Sequence, residues 1–530
     1  MKFSNGVKIR ILLKTIIGLS TFLFLSTTQC FSGKALAATP TPLAGLEFLT
    51  QITIPNWTTT GAATQPSTDV WSFDRSTNTL YFADRVNKGV SVIDTNTNTY
   101  LGTLKVPTCD VAGTRPGSCP SGVLVAPELH KLVVTDRNTV LIAGGTTVNL
   151  KSIFIYDLRL LSAPPVKLDL ASGTDTDELD YDPLNHRVYV ANTAAPYFVT
   201  VVDLVTNTIV DSIPLPSNPE QPRFNPVDAM IYQTIPDDAS NADANSSLLR
   251  IDPTKYGAAA IVKTFKIGPS CLTRGIDIDP LTNTALIGCA APGAQVLLDL
   301  TGNMSILNTF PGVNGTDTLY FNSNVRRWYT ASSNNVASSL NCPTNNAGVI
   351  PVVGVFAAPE KKSPTGSLVG EECSGTNGHD IVVDPVHNQI YVGVRQLADP
   401  ASLSSGTPGV LVWQDPAPLT QPELVEESSA RLGPLANQQA NGKVLFLDSH
   451  IATARLNNLP AGGSALLNVT TTVGNEVVNC DKSGSTATCD AVLKGAALIG
   501  GTVFLANGGT PVASGIIRHG NGGFGSGRDD

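Results

Sequence analysis

The sequence is poor in charge, in helical periodicity and in long apolar runs. Charged residues make up 15% of the 530, and acids outnumber bases to give a formal net charge of −9. The first 37 residues contribute five bases (Lys2, Lys8, Arg10, Lys14 and Lys34) and no acid, so the remainder stands five lower, at −14. A chain this acidic lacks the Lys and Arg surface that phosphate backbones require, which excludes nucleic acid as a partner. Beyond the first apolar run no stretch is long enough to cross a bilayer, so no transmembrane segment is expected. Compact catalytic signatures are missing too. There is no Gly-x-Ser-x-Gly elbow, no His-Glu-x-x-His, no phosphate loop and no Cys-x-x-Cys-His for covalent haem. Any chemistry must be assembled from residues far apart in the chain.

What is present begins with an export signal. Lys2, Lys8, Arg10 and Lys14 precede the apolar run 15–25, and Ala35-Leu36-Ala37 supplies small residues for cleavage. Residues 1–37 therefore read as a secretory signal peptide, and the mature chain as exported, periplasmic or extracellular. Cys30 follows Ser26-Thr27-Thr28-Gln29, which lacks the apolar and small residues of a lipidation site, so secretion is expected rather than lipid anchoring. The other eight cysteines fall as local pairs: Cys109 and Cys119, Cys271 and Cys289, Cys342 and Cys373, Cys480 and Cys489. An even number in an oxidising compartment points to disulfides closing surface loops, whereas a metal site needs tighter spacing or interleaved histidines.

From residue 46 to 415, short runs of Val, Ile, Tyr and Phe alternate with Asn, Asp, Gly, Pro and Thr, an all-β pattern. A weak repeat organises it. Asp182-Pro183-Leu184-Asn185-His186-Arg187-Val188-Tyr189-Val190 recurs as Asp384-Pro385-Val386-His387-Asn388-Gln389-Ile390-Tyr391-Val392, and as Phe73-Asp74 leading to Leu80-Tyr81-Phe82. Fainter copies start at Ala126, Asn225, Asp279 and Asn322, making seven units. In each, a strand ends at the anchor residue, a turn follows, and a second strand begins with aromatic and β-branched residues. Two more strands follow, as in Val90-Ser91-Val92-Ile93-Asp94 and residues 100–106. Four strands in a unit of roughly fifty residues describe a propeller blade. The seventh unit runs one strand short after Trp413, while residues 46–55 form an orphan strand before the first, so the N-terminal strand is expected to complete the last blade.

Tyr189-Val190-Ala191-Asn192, with Val201-Val202-Asp203 and Thr206-Asn207-Thr208, resembles the YVTN-repeat family of seven-bladed propellers. The similarity covers residues 46–415, and units one, three and seven carry the motif best. The resemblance implies the fold. It implies no single activity, because related propellers include surface-layer proteins, ligand binders, lactonases and cofactor enzymes. The fold class is therefore all-β, a seven-bladed β-propeller followed by a small C-terminal β-sandwich-like domain. Residues 416–441 read as a linker with one helical turn near 423–430, and 442–519 as a small β-rich domain pinned by Cys480 and Cys489. The Gly-rich 520–530 reads as a disordered tail.

The repeat frame also locates candidate site residues. Innermost strands of a propeller start near the channel mouth, so equivalent residues just before them converge there. Five residues before the anchors stand Asp69, Ser121, Asp177, Glu220, Arg274, Asp317 and His379; the next positions add Glu178 and Asp380. Convergent polar groups of this kind make a ligand site. Two chemistries fit. Asp69, Asp177, Asp317, His379 and Asp380 are candidate ligands for a divalent cation such as calcium, as in a metal-dependent lactonase or hydrolase. Alternatively Arg274 and His379 hold an anionic small ligand among acceptors, with no reaction, and the bland option is a polar rim of mutual salt bridges.

Other residues read as structural. His130, His186 and His387 fall on blade turns, and His450 and His519 have no ligand pattern around them. Trp57, Trp71, Trp328 and Trp413 are too dispersed for a cofactor sandwich and read as packing. Asn-x-Ser/Thr occurs at Asn56, Asn245, Asn303, Asn314 and Asn468, which matters only in a host that glycosylates. The leading expectation is an exported propeller that binds a protein, glycan or small ligand through its rim or channel mouth, with the terminal domain as an attachment module. The alternatives are the metal-dependent hydrolase and a cell-envelope or surface-layer structural protein.

Overall fold

The computed structural model describes residues 43–417, with breaks at 60–64, 112–118, 142–146, 171–173, 237–245, 269–270, 339, 341, 343–347, 361 and 398–405, and the backbone of strands between 430 and 518. The expected signal peptide, the helical turn near 423–430, most of the linker and the terminal tail lie outside the described residues. Among the described residues no helix is long and apolar enough to cross a membrane.

Seven four-stranded antiparallel sheets make the propeller. Blade 1 runs Thr68–Asp74, Thr79–Asp84, Gly89–Asp94 and Thr99–Lys105 from the axis outward. The innermost strands of blades 2 to 7 are Gly122–Ala126, Thr176–Asp182, Pro222–Asn225, Thr273–Asp279, Leu319–Asn322 and Ile381–Asp384. Each innermost strand contacts the next, and the last contacts the first, so the ring is closed. Closure uses the N-terminal strand as the repeat count requires. Glu47–Ile52 pairs antiparallel with Gly409–Gln414, supplying the outermost strand of blade 7.

The two-residue period of a strand explains how one blade serves two interfaces. Leu80 and Phe82 pack with Val382, Tyr391 and Val412 of blade 7, whereas Tyr81 and Ala83 pack with Val123, Val125 and Val134 of blade 2. Successive side chains point to opposite faces, and both faces are covered. One such apolar cluster fills each of the seven seams between blades. The four tryptophans belong to these cores: Trp57 and Trp71 to the seam between blades 7 and 1, Trp328 to that between 5 and 6, and Trp413 to that between 6 and 7.

The turn leaving the innermost strand is built alike in six of the seven blades. Six of the seven anchors are Asp or Asn, and each accepts the backbone N–H two residues on: Asp74, Asp182, Asn225, Asp279, Asn322 and Asp384. This is the side-chain turn that Asx residues favour. Ala126 of blade 2 cannot make it, and a short 3-10 turn, Pro127–Leu129, takes its place. Four residues after every anchor the backbone turns left-handed, with φ between 51° and 59° at Asn78, His130, His186, Ala229, Asn283, Arg326 and Asn388. His130 and His186 thus serve the turn itself. His387 lies one residue before it, with Nδ1 2.6 Å from the anchor Asp384.

Three disulfides join the expected partners, Cys109 to Cys119, Cys271 to Cys289 and Cys342 to Cys373. Cys480 and Cys489 lie on strands whose side chains are outside the described set. Those C-terminal strands form an eight-stranded antiparallel sheet, with Gln439–Leu447, Ile451–Asn457, Ser464–Thr471, Gly474–Ser483, Thr486–Val492, Leu498–Asn507 and Thr510–Arg518 following the short Ala430–Arg431.

Candidate ligand site at the channel mouth

Three innermost strands open with a break in register: between Asp69 and Trp71, between Thr176 and Leu179, and between Thr273 and Ile276. A bulge re-aims the side chains beside it. The residues these breaks skip are Val70, Asp177, Glu178, Arg274 and Gly275; Asp177, Glu178 and Arg274 belong to the repeat-derived set, and Asp69 is the paired residue just before the first break.

A circuit of charge follows the blades around the opening. Asp69 of blade 1 meets Arg85 of its own blade and, at 3.9 Å, Arg137 of blade 2. Arg137 reaches on to Asp177 of blade 3 at 3.3 Å. Glu220 of blade 4 pairs with Arg274 of blade 5, whose guanidinium also lies 3.9 Å from Asp317 of blade 6. His379 and Asp380 of blade 7 are 3.2 Å apart, and Thr68 of blade 1 donates its hydroxyl to Asp380 at 3.0 Å. Ser121 stands apart. It is fully buried, and its hydroxyl faces those of Thr135 and Thr176 at 3.1 and 3.4 Å.

Below the ring the channel narrows to a cavity of about 60 Å³ lined by residues that include Glu178, Asp180, Arg223, Tyr320 and Asp380. Glu178 is 7% exposed and Oε2 has no hydrogen-bond partner. Burial, then the charges of Asp177, Asp380, Glu220 and Asp317, raise its carboxyl well above the usual range. Burial also raises Asp380, against the pull of His379. Deeper in, Arg223 lies 3.3 Å from both Asp180 and Asp277. Those two acids also brace the ring, Asp180 accepting the Phe224 amide of blade 4 at 2.5 Å and Asp277 the Phe321 amide of blade 6 at 2.7 Å.

To one side of the mouth, beside blades 6 and 7, opens a depression of about 400 Å³. Asp317, His379, Asn377, Thr376, Gln65 and Arg395 are among the residues lining it. Arg274 and Asp317 keep side-chain exposures of 39% and 38%, so this sector of the ring presents a donor and an acceptor to solvent.

The sequence reading missed Arg85, Arg137 and Arg395. All three stand eleven residues after an anchor, at Asp74, Ala126 and Asp384 respectively. That position follows the second strand of a blade, which returns to the same end of the channel where the first strand began. Reading the frame forward as well as backward finds them.

No family model matches the chain, and no curated protein is similar to it in sequence. Solved structures similar to it include hydrazine synthase of Kuenenia stuttgartiensis, at 12% identity over 66% of this chain and 95% of that one, with a TM-score of 0.47. A functionally unknown protein from Desulfotomaculum acetoxidans aligns at 15% identity over 61% of this chain and 95% of that one, with a TM-score of 0.40. Raptor of Chaetomium thermophilum aligns at 14% identity over 70% of this chain and 29% of its own, with a TM-score of 0.46. Likeness at this level says nothing about activity.

Proposed function

We propose that the chain is an exported binding propeller, akin to the YVTN-repeat proteins, that takes a polar and overall neutral ligand at the channel mouth. A glycan or a peptide segment of a partner protein has the matching chemistry. The observation that carries this reading is the exposed Arg274 and Asp317 pair beside the 400 Å³ depression. A site with donors and acceptors side by side, and most carboxylates already engaged by arginine, suits hydrogen-bonded recognition better than capture of one strongly charged group. Three disulfides support an oxidising compartment.

Thermal unfolding against a panel of neutral oligosaccharides and charge-balanced peptides tests it. One class is expected to raise the midpoint in the wild type by mass action, and Arg274→Ala and Asp317→Ala to abolish the rise. No response from any member, or turnover of lactones or esters in the presence of calcium, overturns the reading.

A further inference from the structure

The seam between the first and last blades holds an arrangement that the ring of ion pairs does not use up. One carboxylate oxygen each of Asp69 and Asp380 and a ring nitrogen of His379 lie within 4.8 Å of one another. Asp69 comes from blade 1, His379 and Asp380 from blade 7. We infer that these three side chains form a binding site for a first-row transition dication, such as zinc, that ties blade 7 to blade 1.

Three observations lead there. The first is the histidine's orientation. His379 Nδ1 lies 2.9 Å from the Asn377 carbonyl oxygen, an acceptor, so Nδ1 carries the proton. Nε2 then faces Asp380 Oδ2 at 3.2 Å, and a neutral ring opposes acceptor to acceptor there, a pairing that either a second ring proton or a bound cation relieves. Imidazole held through its other nitrogen by a backbone carbonyl is the usual outer-shell arrangement of a metal-binding histidine. The His379 carbonyl in turn accepts from Thr318, at 3.2 Å from N and 2.9 Å from Oγ1, which fixes the backbone of the loop.

The second is an oxygen without a partner. Asp380 is 1% exposed, and Oδ1 has no hydrogen-bond donor, although the residue lines the channel cavity. A buried acceptor left unsatisfied costs on the order of 1–3 kcal/mol, and a cation held by both oxygens of Asp380 removes that cost. Glu178 Oε2, on the same cavity, is equally without a partner.

The third is charge. With Glu178 set aside because its carboxyl is raised well above the usual range, five carboxylates at the mouth (Asp69, Asp177, Glu220, Asp317, Asp380) still outnumber the four guanidiniums of Arg85, Arg137, Arg274 and Arg395, so the site carries no excess of positive charge against a cation. Arg85 against Asp69 does not block the site, because an ionised carboxylate has about four lone-pair positions and a ligating one is commonly held by an outer-shell donor. An imidazole nitrogen in the set favours zinc and its neighbours over calcium or magnesium, which prefer all-oxygen surroundings.

Zinc chloride alone, titrated calorimetrically into the chelator-treated full chain, tests this. One ion per chain is expected, with a rise in unfolding midpoint as zinc exceeds its dissociation constant by about 100-fold. His379→Gln is expected to weaken zinc by more than about 100-fold, since even an outer-shell loss costs about 10–100-fold. Asp69→Asn, on the opposite blade, provides the second variant should the first not fold, and is expected to reduce affinity in the same direction. Absence of stoichiometric zinc, zinc binding undiminished in both variants, or calcium bound in preference to zinc overturns the assignment. None of these outcomes touches Arg274 or Asp317, so the site stands or falls separately from the proposed ligand surface.

Discussion

Phe48 meets Trp413 edge to face, ring centroids 6.2 Å apart and planes at 74°, although the two stand at opposite ends of the propeller sequence. The contact belongs to the strand pair that closes the ring. A chain beginning at residue 56 would leave the Gly409–Gln414 edge with its hydrogen-bonding groups open. It is expected to lose its single cooperative unfolding transition and to self-associate on size exclusion. A peptide spanning 43–55, added in trans, should restore the monomer. An unaltered, monomeric truncation would show that the clasp is dispensable.

Arg223 sits almost fully buried between Asp180 and Asp277. Replacing it with Met leaves two buried acids without their cation, a change that typically costs about 3–5 kcal/mol. Urea unfolding at neutral pH is the readout. Adding Asp180→Asn and Asp277→Asn to Arg223→Met should recover part of the loss, because it removes the stranded charges while keeping acceptors for the Phe224 and Phe321 amides. A triple variant weaker than the single one would place the effect in packing.

Asp136 offers a pH test away from the mouth. It is fully buried beside the Cys109–Cys119 bridge, takes the Asn138 amide on Oδ1, and has no donor on Oδ2. Burial pushes its carboxyl up to about 6. A folded value above the unfolded one means that the stabilising contribution is fully present below about pH 4 and is lost as pH rises through 6. Asp136→Asn cannot ionise. The stability difference between the variant and the wild type should therefore grow in the variant's favour by about 2–3 kcal/mol from pH 4 to pH 8. A pH-independent difference would contradict the assignment.

The blade count, the clasp and the three cysteine pairs of the propeller were legible because each depends on spacing within or between repeats. The left-handed turn position held even where the residue is Ala229 or Arg326, neither of which signals such a turn. The anchor four residues earlier carried the information instead. The mouth was only half legible. Counting back from the anchors found acids and missed Arg85, Arg137 and Arg395, because a hairpin brings two chain positions to the same end and only one was read. Ser121 kept the frame yet is fully buried, since position in a repeat fixes the strand but not the burial of its first residue. Arg223, Asp180 and Asp277 escaped notice because charged residues on a strand read as solvent-facing, and here they face the channel.

The clasp has a direction. Glu47 lies opposite Gln414, and Ile52 opposite Val410, so the chain enters and leaves the propeller at the same end of that strand pair. All three disulfides join residues outside it. A pull applied between the segment before Glu47 and the segment after Gln414 would therefore peel the strands apart one hydrogen bond at a time instead of sliding them past each other. Under tension through its two ends, the ring yields first at its own closure, at low force, while the other six blades keep their shape.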